Sequence, residues 1–232
     1  MEASARSDIG LVRAVNEDSF LVTDVLFAVA DGLGGHEAGE VASRMAIDLL
    51  EEHLPYFRSN PADKLRETFT RINTAIHQRS MSDENCKGMG TTLTALLIQD
   101  GTAYIGHVGD SRAYLVRDGQ VRQLTQDHSY VNQLVVLGTL SQEEAKNHPQ
   151  RNVLLRALGA QEDIEVDLFE VDFQPGDIVL LATDGLVTDL DKEVLEEILL
   201  SEISLEEMAD RLLEAALASG GRDNVTVVLG QV

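Results

Sequence analysis

The sequence predicts an α+β fold in which one sheet packs on another and helices cover the outside. Three observations carry this. Short apolar runs rich in Val, Ile and Leu, bounded by glycine or charge, read as buried strands. Asp-Gly pairs stand between successive runs, where tight hairpins are wanted. Two pairs of helical segments separate the groups of runs, and strands in meanders with paired helices between them bury both faces only when sheet lies on sheet.

Taken in order, strands are expected from Ser19 to Thr23 and from Val25 to Ala30. Gly39 to His53 sets Val41, Met45, Leu49 beside Ala42, Ala46, Leu50 on adjoining stripes at helical spacing. Asn60-Pro61 opens a second helix to about Met81, with Leu65, Phe69, Ile72 and Ile76 on one face. Strands follow at Thr92 to Gln99, Thr102 to Val108 and Arg112 to Val116, turned at Asp100-Gly101. Asp118-Gly119 then leads into Val121 to Leu124.

From Asp127 to Gly159 the pattern changes to short helical pieces, Tyr130 to Leu137 and Ser141 to Lys146, mixed with Gly138, His148-Pro149 and arginines. This reads as an insertion over the body. Glu165 to Phe173 alternates as a half-buried strand, and Pro175-Gly176 turns it into the strand ending at Asp184. Helices from about Asp191 to Ser201 and Leu205 to Ala218 precede a last strand, Asn224 to Leu229. Residues 1–232 fit one domain, with the insertion at about 127–159.

The chemistry is signalled by four aspartates. Asp31, Asp110 and Asp184 stand where apolar runs break off, each followed by a small residue, and Asp223-Asn224 precedes the run from Val225 to Leu229. Acids at the ends of adjacent strands converge on one rim, where they must take up protons or share a cation. Oxygen-only ligands select a hard ion such as magnesium or manganese. Arg13-Ala14-Val15-Asn16-Glu17-Asp18 is the second cluster. Beside the aspartates, Arg13 reads better as a bidentate anchor for phosphate than as half of a surface ion pair, with Glu17 or Asp18 as an outer metal ligand.

A hydrophobic fraction of 44% and a charged fraction of 25% are those of an ordinary globular protein. The net charge of −22 excludes nucleic acid and anionic membrane as natural partners, since both repel it. Cys86 is the single cysteine, so no disulfide framework exists; the residues after it contain no arginine to close a phosphate loop, which leaves a bland thiol. No stretch approaches the ~20 apolar residues of a membrane span. A cytoplasmic protein that acts as a monomer is expected.

The chain resembles the metal-dependent protein phosphatases, type 2C, in their compact bacterial form. The resemblance rests on the Arg13 to Asp18 segment, Val29-Ala30-Asp31-Gly32-Leu33-Gly34-Gly35-His36, Gly88-Met89-Gly90-Thr91-Thr92 and His107-Val108-Gly109-Asp110-Ser111-Arg112. Thr125-Gln126-Asp127-His128-Ser129, Ala182-Thr183-Asp184-Gly185-Leu186 and Gly221-Arg222-Asp223-Asn224-Val225-Thr226 complete it. Seven blocks in the family's order are specific where any one is weak. The resemblance implies a four-layer α-β-β-α sandwich with two central antiparallel sheets, and serine/threonine phosphatase activity without a phosphoenzyme.

It further implies two manganese or magnesium ions, with Asp31 bridging them, Asp184 and Asp223 on one and the Gly32 carbonyl on the other. Glu17 and Asp18 act through metal-bound waters, and Asp110 with Asp184 holds a third, weaker ion. Asn224 orients Asp223 or a water, and Arg13 holds the non-bridging phosphate oxygens. The implied partners are phosphorylated proteins, the substrates of serine/threonine kinases. The proton donor to the leaving alkoxide stays open. Eukaryotic relatives carry a histidine directly after the Asp-Gly pair, where this chain has Leu33; His36 either reaches the site as catalytic and substrate-binding group or caps the following helix. His107 reads as a satisfied core histidine, and His128 and His148 as structural. Two other functions fit the fold. A pseudophosphatase would have lost metal aspartates, and none is lost; an enzyme for small phosphomonoesters would use the same ligands.

Overall fold

The computed structural model describes residues 2–34, 38–188 and 190–232. The first sheet contains β1 (Glu2–Asp8), β7 (Arg112–Arg117), β8 (Gln120–Gln123), β10 (Ile178–Ala182) and β11 (Val225–Gln231), in the order β1-β11-β10-β7-β8. The second contains β2 (Asp18–Val22), β3 (Leu26–Leu33), β5 (Leu93–Gln99), β6 (Thr102–Val108) and β9 (Asp167–Asp172), in the order β2-β3-β5-β6-β9. A short β4 (Gly90–Thr91) pairs with the end of β3. The ladders between these strands are antiparallel.

Alternation along the strands sorts side chains into three cores. Phe27 and Val29 of β3, Leu96 of β5, Val179 and Leu181 of β10 and Val228 of β11 meet between the sheets. Leu26, Ala28 and Ala30 of β3 face the other way, against α1 (Ala38–His53) and α2 (Pro61–Ser82). Leu180, Ala182, Val225, Val227 and Leu229 face α6 (Lys192–Leu199) and α7 (Leu205–Ala218), together with Leu186 of the short α5 (Asp184–Val187). Helices, sheet, sheet, helices: the four-layer α-β-β-α sandwich is as expected. No described helix is long and apolar enough to cross a membrane.

Both Asp-Gly hairpins form as two-residue turns. Asp100 and Gly101 have φ of 52° and 84°, Asp118 and Gly119 of 51° and 70°, so both central residues take the left-handed conformation that matches the twist of the flanking strands. Between β8 and β9 lie α3 (Tyr130–Val136) and α4 (Gln142–Lys146), capped by the hydroxyls of Ser129 and Ser141.

Two expectations need correction. The sequence suggested no element before Ser19, yet β1 forms there. Glu-Ala-Ser-Ala-Arg-Ser-Asp offers no apolar run because β1 is an edge strand that pairs with β11. Asp31 does not end its strand either: β3 continues to Leu33 because Gly32 and Leu33 pair with Thr91 and Gly90.

Candidate active site

Strand direction gathers the acids. β3 climbs to Asp31, and β2 leaves from Asp18 directly across the ladder. In the other sheet β10 climbs to Ala182 just before Asp184, β11 leaves just after Asp223, and β7 leaves just after Asp110, with Ala182 opposite both Val227 and Arg112. At this rim a cleft of about 230 Å³ is lined by Arg13, Glu17, Asp31, Gly32, Asp110, Asp184 and Asp223, with Leu33, Gly34, Asn152, Leu154 and Asn224. Asp18 lies beneath, 9% exposed. Apart from His36, which lies outside the described residues with Gly35 and Glu37, every residue singled out as a site residue is in or next to this cleft.

Burial and mutual repulsion set the electrostatics. Burial first, then Asp184 and Asp223, raises the Asp18 carboxyl from the usual 3.8 to about 7, although Thr226 and Thr183 oppose the shift. Asp184 is raised to about 6 by burial and by Asp223. Asp31 and Asp110 are pushed well above the carboxylate range, again by burial first and by neighbouring aspartates second. Glu17 is raised by burial against the pull of Arg13. The site therefore holds more negative charge than it can keep without a counter-charge.

Three buried oxygens, Glu17 Oε1, Asp18 Oδ1 and Asp184 Oδ1, have no hydrogen-bond partner among the described residues. Buried polar atoms left so are costly, and an ionised carboxylate oxygen accepts only a proton donor or a cation. The donor set is oxygen throughout, which suits a hard divalent ion. Among the described residues no three acidic, histidine or cysteine side chains are set to hold one ion by themselves. Water and backbone carbonyls must complete the shell, the habit of magnesium-like ions, which keep several waters. The residues fit such ions.

Asp31 and Asp18 sit on built supports. The Asp31 N–H donates to Thr92 Oγ1 at 2.9 Å, and its carbonyl accepts from the Thr91 hydroxyl at 2.9 Å and the Thr92 N–H at 2.9 Å. Asp18 Oδ2 accepts from Thr183 Oγ1 at 2.8 Å. Gly32, Gly39 and Gly185 are packing requirements: a Cβ on Gly32 would run into the backbone of Gly39 and Glu17, one on Gly39 into the Glu17 carboxylate, and one on Gly185 into the Asn224 carbonyl.

Asn224 meets Asp223 through its backbone, its N–H donating to Asp223 Oδ1 at 2.9 Å, while its side chain turns elsewhere. Its Nδ2 donates to the carbonyls of Ile9 at 2.9 Å and Val15 at 3.0 Å, and its Oδ1 accepts the Glu17 N–H at 2.9 Å. All three bonds clamp the backbone of the segment that carries Arg13 and Glu17. Arg13 itself donates from Nη2 to Asp223 Oδ2 at 2.6 Å, with the two side chains 47% and 31% exposed. The anchor and one proposed ligand are thus already in contact.

His107 is the satisfied core histidine expected. His107 is fully buried, with Nδ1 against Thr94 Oγ1 at 2.9 Å and Nε2 against the Gln126 carbonyl at 3.1 Å, and burial lowers it to about 4. Cys86 is buried and does not line the cleft. Residues that sequence reasoning did not single out are Thr91, Thr92, Thr183 and Gly39. Thr91, Thr92 and Thr183 stand in the recognised blocks, but nothing in their spacing marks a hydroxyl that holds the backbone of Asp31 or the carboxylate of Asp18 from a distant segment.

The sequence pattern of the family described as "Protein phosphatase 2C" matches residues 12–222. The chain belongs to the protein phosphatase 2C family. The serine/threonine phosphatase Stp of Listeria monocytogenes is 42% identical over 99% of this chain and 95% of its own length. The protein phosphatase PstP of Mycobacterium tuberculosis is 44% identical over 99% of this chain and 44% of its own length. A crystal structure of the M. tuberculosis phosphatase superposes with a TM-score of 0.94 at 42% identity, covering 100% of this chain and 98% of that one. A structure of the PstP catalytic domain in complex with two manganese ions superposes at 0.92 with 40% identity, over 99% and 97% of the two chains.

Proposed function

We propose that the cleft of this protein phosphatase 2C member removes phosphate from phosphoserine and phosphothreonine by direct attack of water. Asp31, Asp184 and Asp223 would hold two divalent cations with the Gly32 carbonyl, Glu17 and Asp18 would support them from the outer shell, and Asp110 with Asp184 would hold a third. The observation that carries the reading is one rim on which Glu17 and Asp184, each with an orphaned carboxylate oxygen, line the same cleft as Arg13, with a third such oxygen on the buried Asp18 next to it. When bound, the cations would lower the pKa of a water and offset charge on the phosphoryl oxygens.

The chain's own groups do the rest. Arg13, ion-paired at one nitrogen, keeps further N–H donors for the non-bridging oxygens of an entering phosphate. Among the described cleft residues there is no Ser, Thr, Cys or His to accept the phosphoryl group, and the carboxylates are taken up by the cations, which leaves water as nucleophile. His36 is the residue to test as proton donor to the leaving alkoxide. Asn152 and Leu154 bring the inserted segment, about 127–159, to the cleft wall, where it acts as a flap that selects among phosphorylated proteins made by serine/threonine kinases. A monomer in the cytoplasm meets these requirements.

The test compares phosphoserine, phosphothreonine and phosphotyrosine peptides with small phosphomonoesters, in manganese and in chelator. Turnover of the first two in manganese, and none in chelator, is expected. Preference for a small phosphomonoester would replace the protein substrate, and full turnover in chelator would overturn the cation assignment.

A further inference from the structure

His128 joins the flap to the turn that carries Asp110. Its N–H donates to the Gly109 carbonyl at 2.8 Å, and the Gly109 N–H donates back to His128 Nδ1 at 3.1 Å. With Nδ1 an acceptor, the ring proton sits on Nε2, which lies 3.2 Å from Asp167 Oδ2 and 3.2 Å from Arg156 Nη1. Arg156 of the flap's outgoing limb holds that same carboxylate, Nη1 to Oδ1 at 2.9 Å. The His128 carbonyl accepts the Leu155 N–H at 2.7 Å, and Ser129 bridges to Leu154, which lines the cleft. His128 is buried.

Gly109 has little freedom of its own. Its φ is +115°, and a Cβ there would come within 2.5 Å of the Thr92 side chain, the same Thr92 that accepts the Asp31 N–H. The turn is pinned from below by Thr92 and from above by His128. We infer that His128, oriented by Asp167 and Arg156, is a positioning residue that fixes the Gly109–Asp110 turn and couples the placement of Asp110 to the flap.

This rests on the proposed role of Asp110, and the experiment separates the two. Asparagine matches the Nδ1 side of histidine, and glutamine the Nε2 side. His128→Gln keeps a group for Asp167 but loses the acceptor for Gly109. It should lower kcat on a phosphothreonine peptide about tenfold, the size of one hydrogen bond, and weaken the weakest manganese-binding step in calorimetric titration. His128→Asn keeps the Gly109 acceptor and should lose less, about threefold.

In an Asp110→Asn background the effect of His128→Gln should fall to about onefold, because both changes act through one group. If Asp110→Asn leaves kcat untouched, the reading of Asp110 fails. If it lowers kcat but His128→Gln still multiplies with it, the coupling is overturned; so it is if His128→Asn is as damaging as His128→Gln. Should His128→Gln not fold by circular dichroism, the half-buried Asp167→Ala carries the same double-mutant test, with a severalfold loss expected that disappears with Asp110→Asn.

Discussion

Removing the charge of Asp18 should stabilise the protein when cations are absent, and most strongly above neutral pH. Its carboxyl lies at about 7 in the fold against 3.8 in the ordinary case, roughly a thousandfold rise in proton affinity. At about 1.4 kcal/mol per factor of ten, holding it ionised in the bare site costs about 4 kcal/mol. For a raised acid the cost is absent below pH 3.8, grows as pH rises and is complete above about 7. Between pH 5 and pH 8 roughly 3 kcal/mol of it is added, or about 6–12 °C in Tm for a chain of this size. Asp184, at about 6, titrates in the same cluster, so the two costs overlap. Scanning calorimetry in chelator should show Tm falling from pH 5 to pH 8. Asp18→Asn, whose amide oxygen still accepts from Thr183, should roughly halve that slope and raise Tm at pH 8 while lowering activity. Manganese should raise the wild-type Tm more at pH 8 than at pH 5. A Tm that climbs with pH in chelator, or an unchanged slope in Asp18→Asn, would refute the reasoning.

Substituting Asp31, Asp184 or Asp223 by Ala should each cost ~10³-fold or more in kcat/KM; Asp110→Ala should cost less and leave the two tighter manganese steps intact by calorimetry. Arg13→Ala should raise KM for a phosphopeptide about ten- to a hundredfold without weakening manganese binding, because it also frees Asp223; Arg13→Lys should recover only part. Asn224→Ala removes three hydrogen bonds to the 9–17 segment and should destabilise by about 2–4 kcal/mol in denaturant titration, with KM for phosphopeptide rising as Arg13 loses its footing. Unchanged stability there would return Asn224 to a role at Asp223.

The sandwich and the aspartates were legible because both leave local marks. Buried strands are apolar runs, the hairpins are Asp-Gly pairs, and a carboxylate at the end of an apolar run is visible without any partner. β1 left no such mark, since a polar edge strand is held by the backbone ladder to β11, some two hundred residues away in the chain. The extension of β3 past Asp31 depends on pairing with Gly90 and Thr91, which no window around Asp31 contains. Asn224 was visible as a residue, but its three partners are backbone atoms of a distant segment, which spacing does not encode. The ion pair of Arg13 with Asp223 was hidden for the same reason: each was assigned from its own motif, and only the fold puts them in contact.

The position of β11 gives the order of synthesis a functional meaning. Its strand fills the gap between β1 and β10, and the two residues just before it supply the last carboxylate of the cleft and the amide that clamps the Arg13 segment. A ribosome that has released everything up to residue 222 has made six of the seven recognised blocks, both helix layers and most of both sheets, yet neither Asp223 nor the strand that ties down the amino-terminal edge. A chain halted there carries an open sheet and a cleft that lacks its last carboxylate. If Asp223 holds a cation as proposed, hydrolysis of phosphate needs the closing strand, and a copy terminated before it should be inactive.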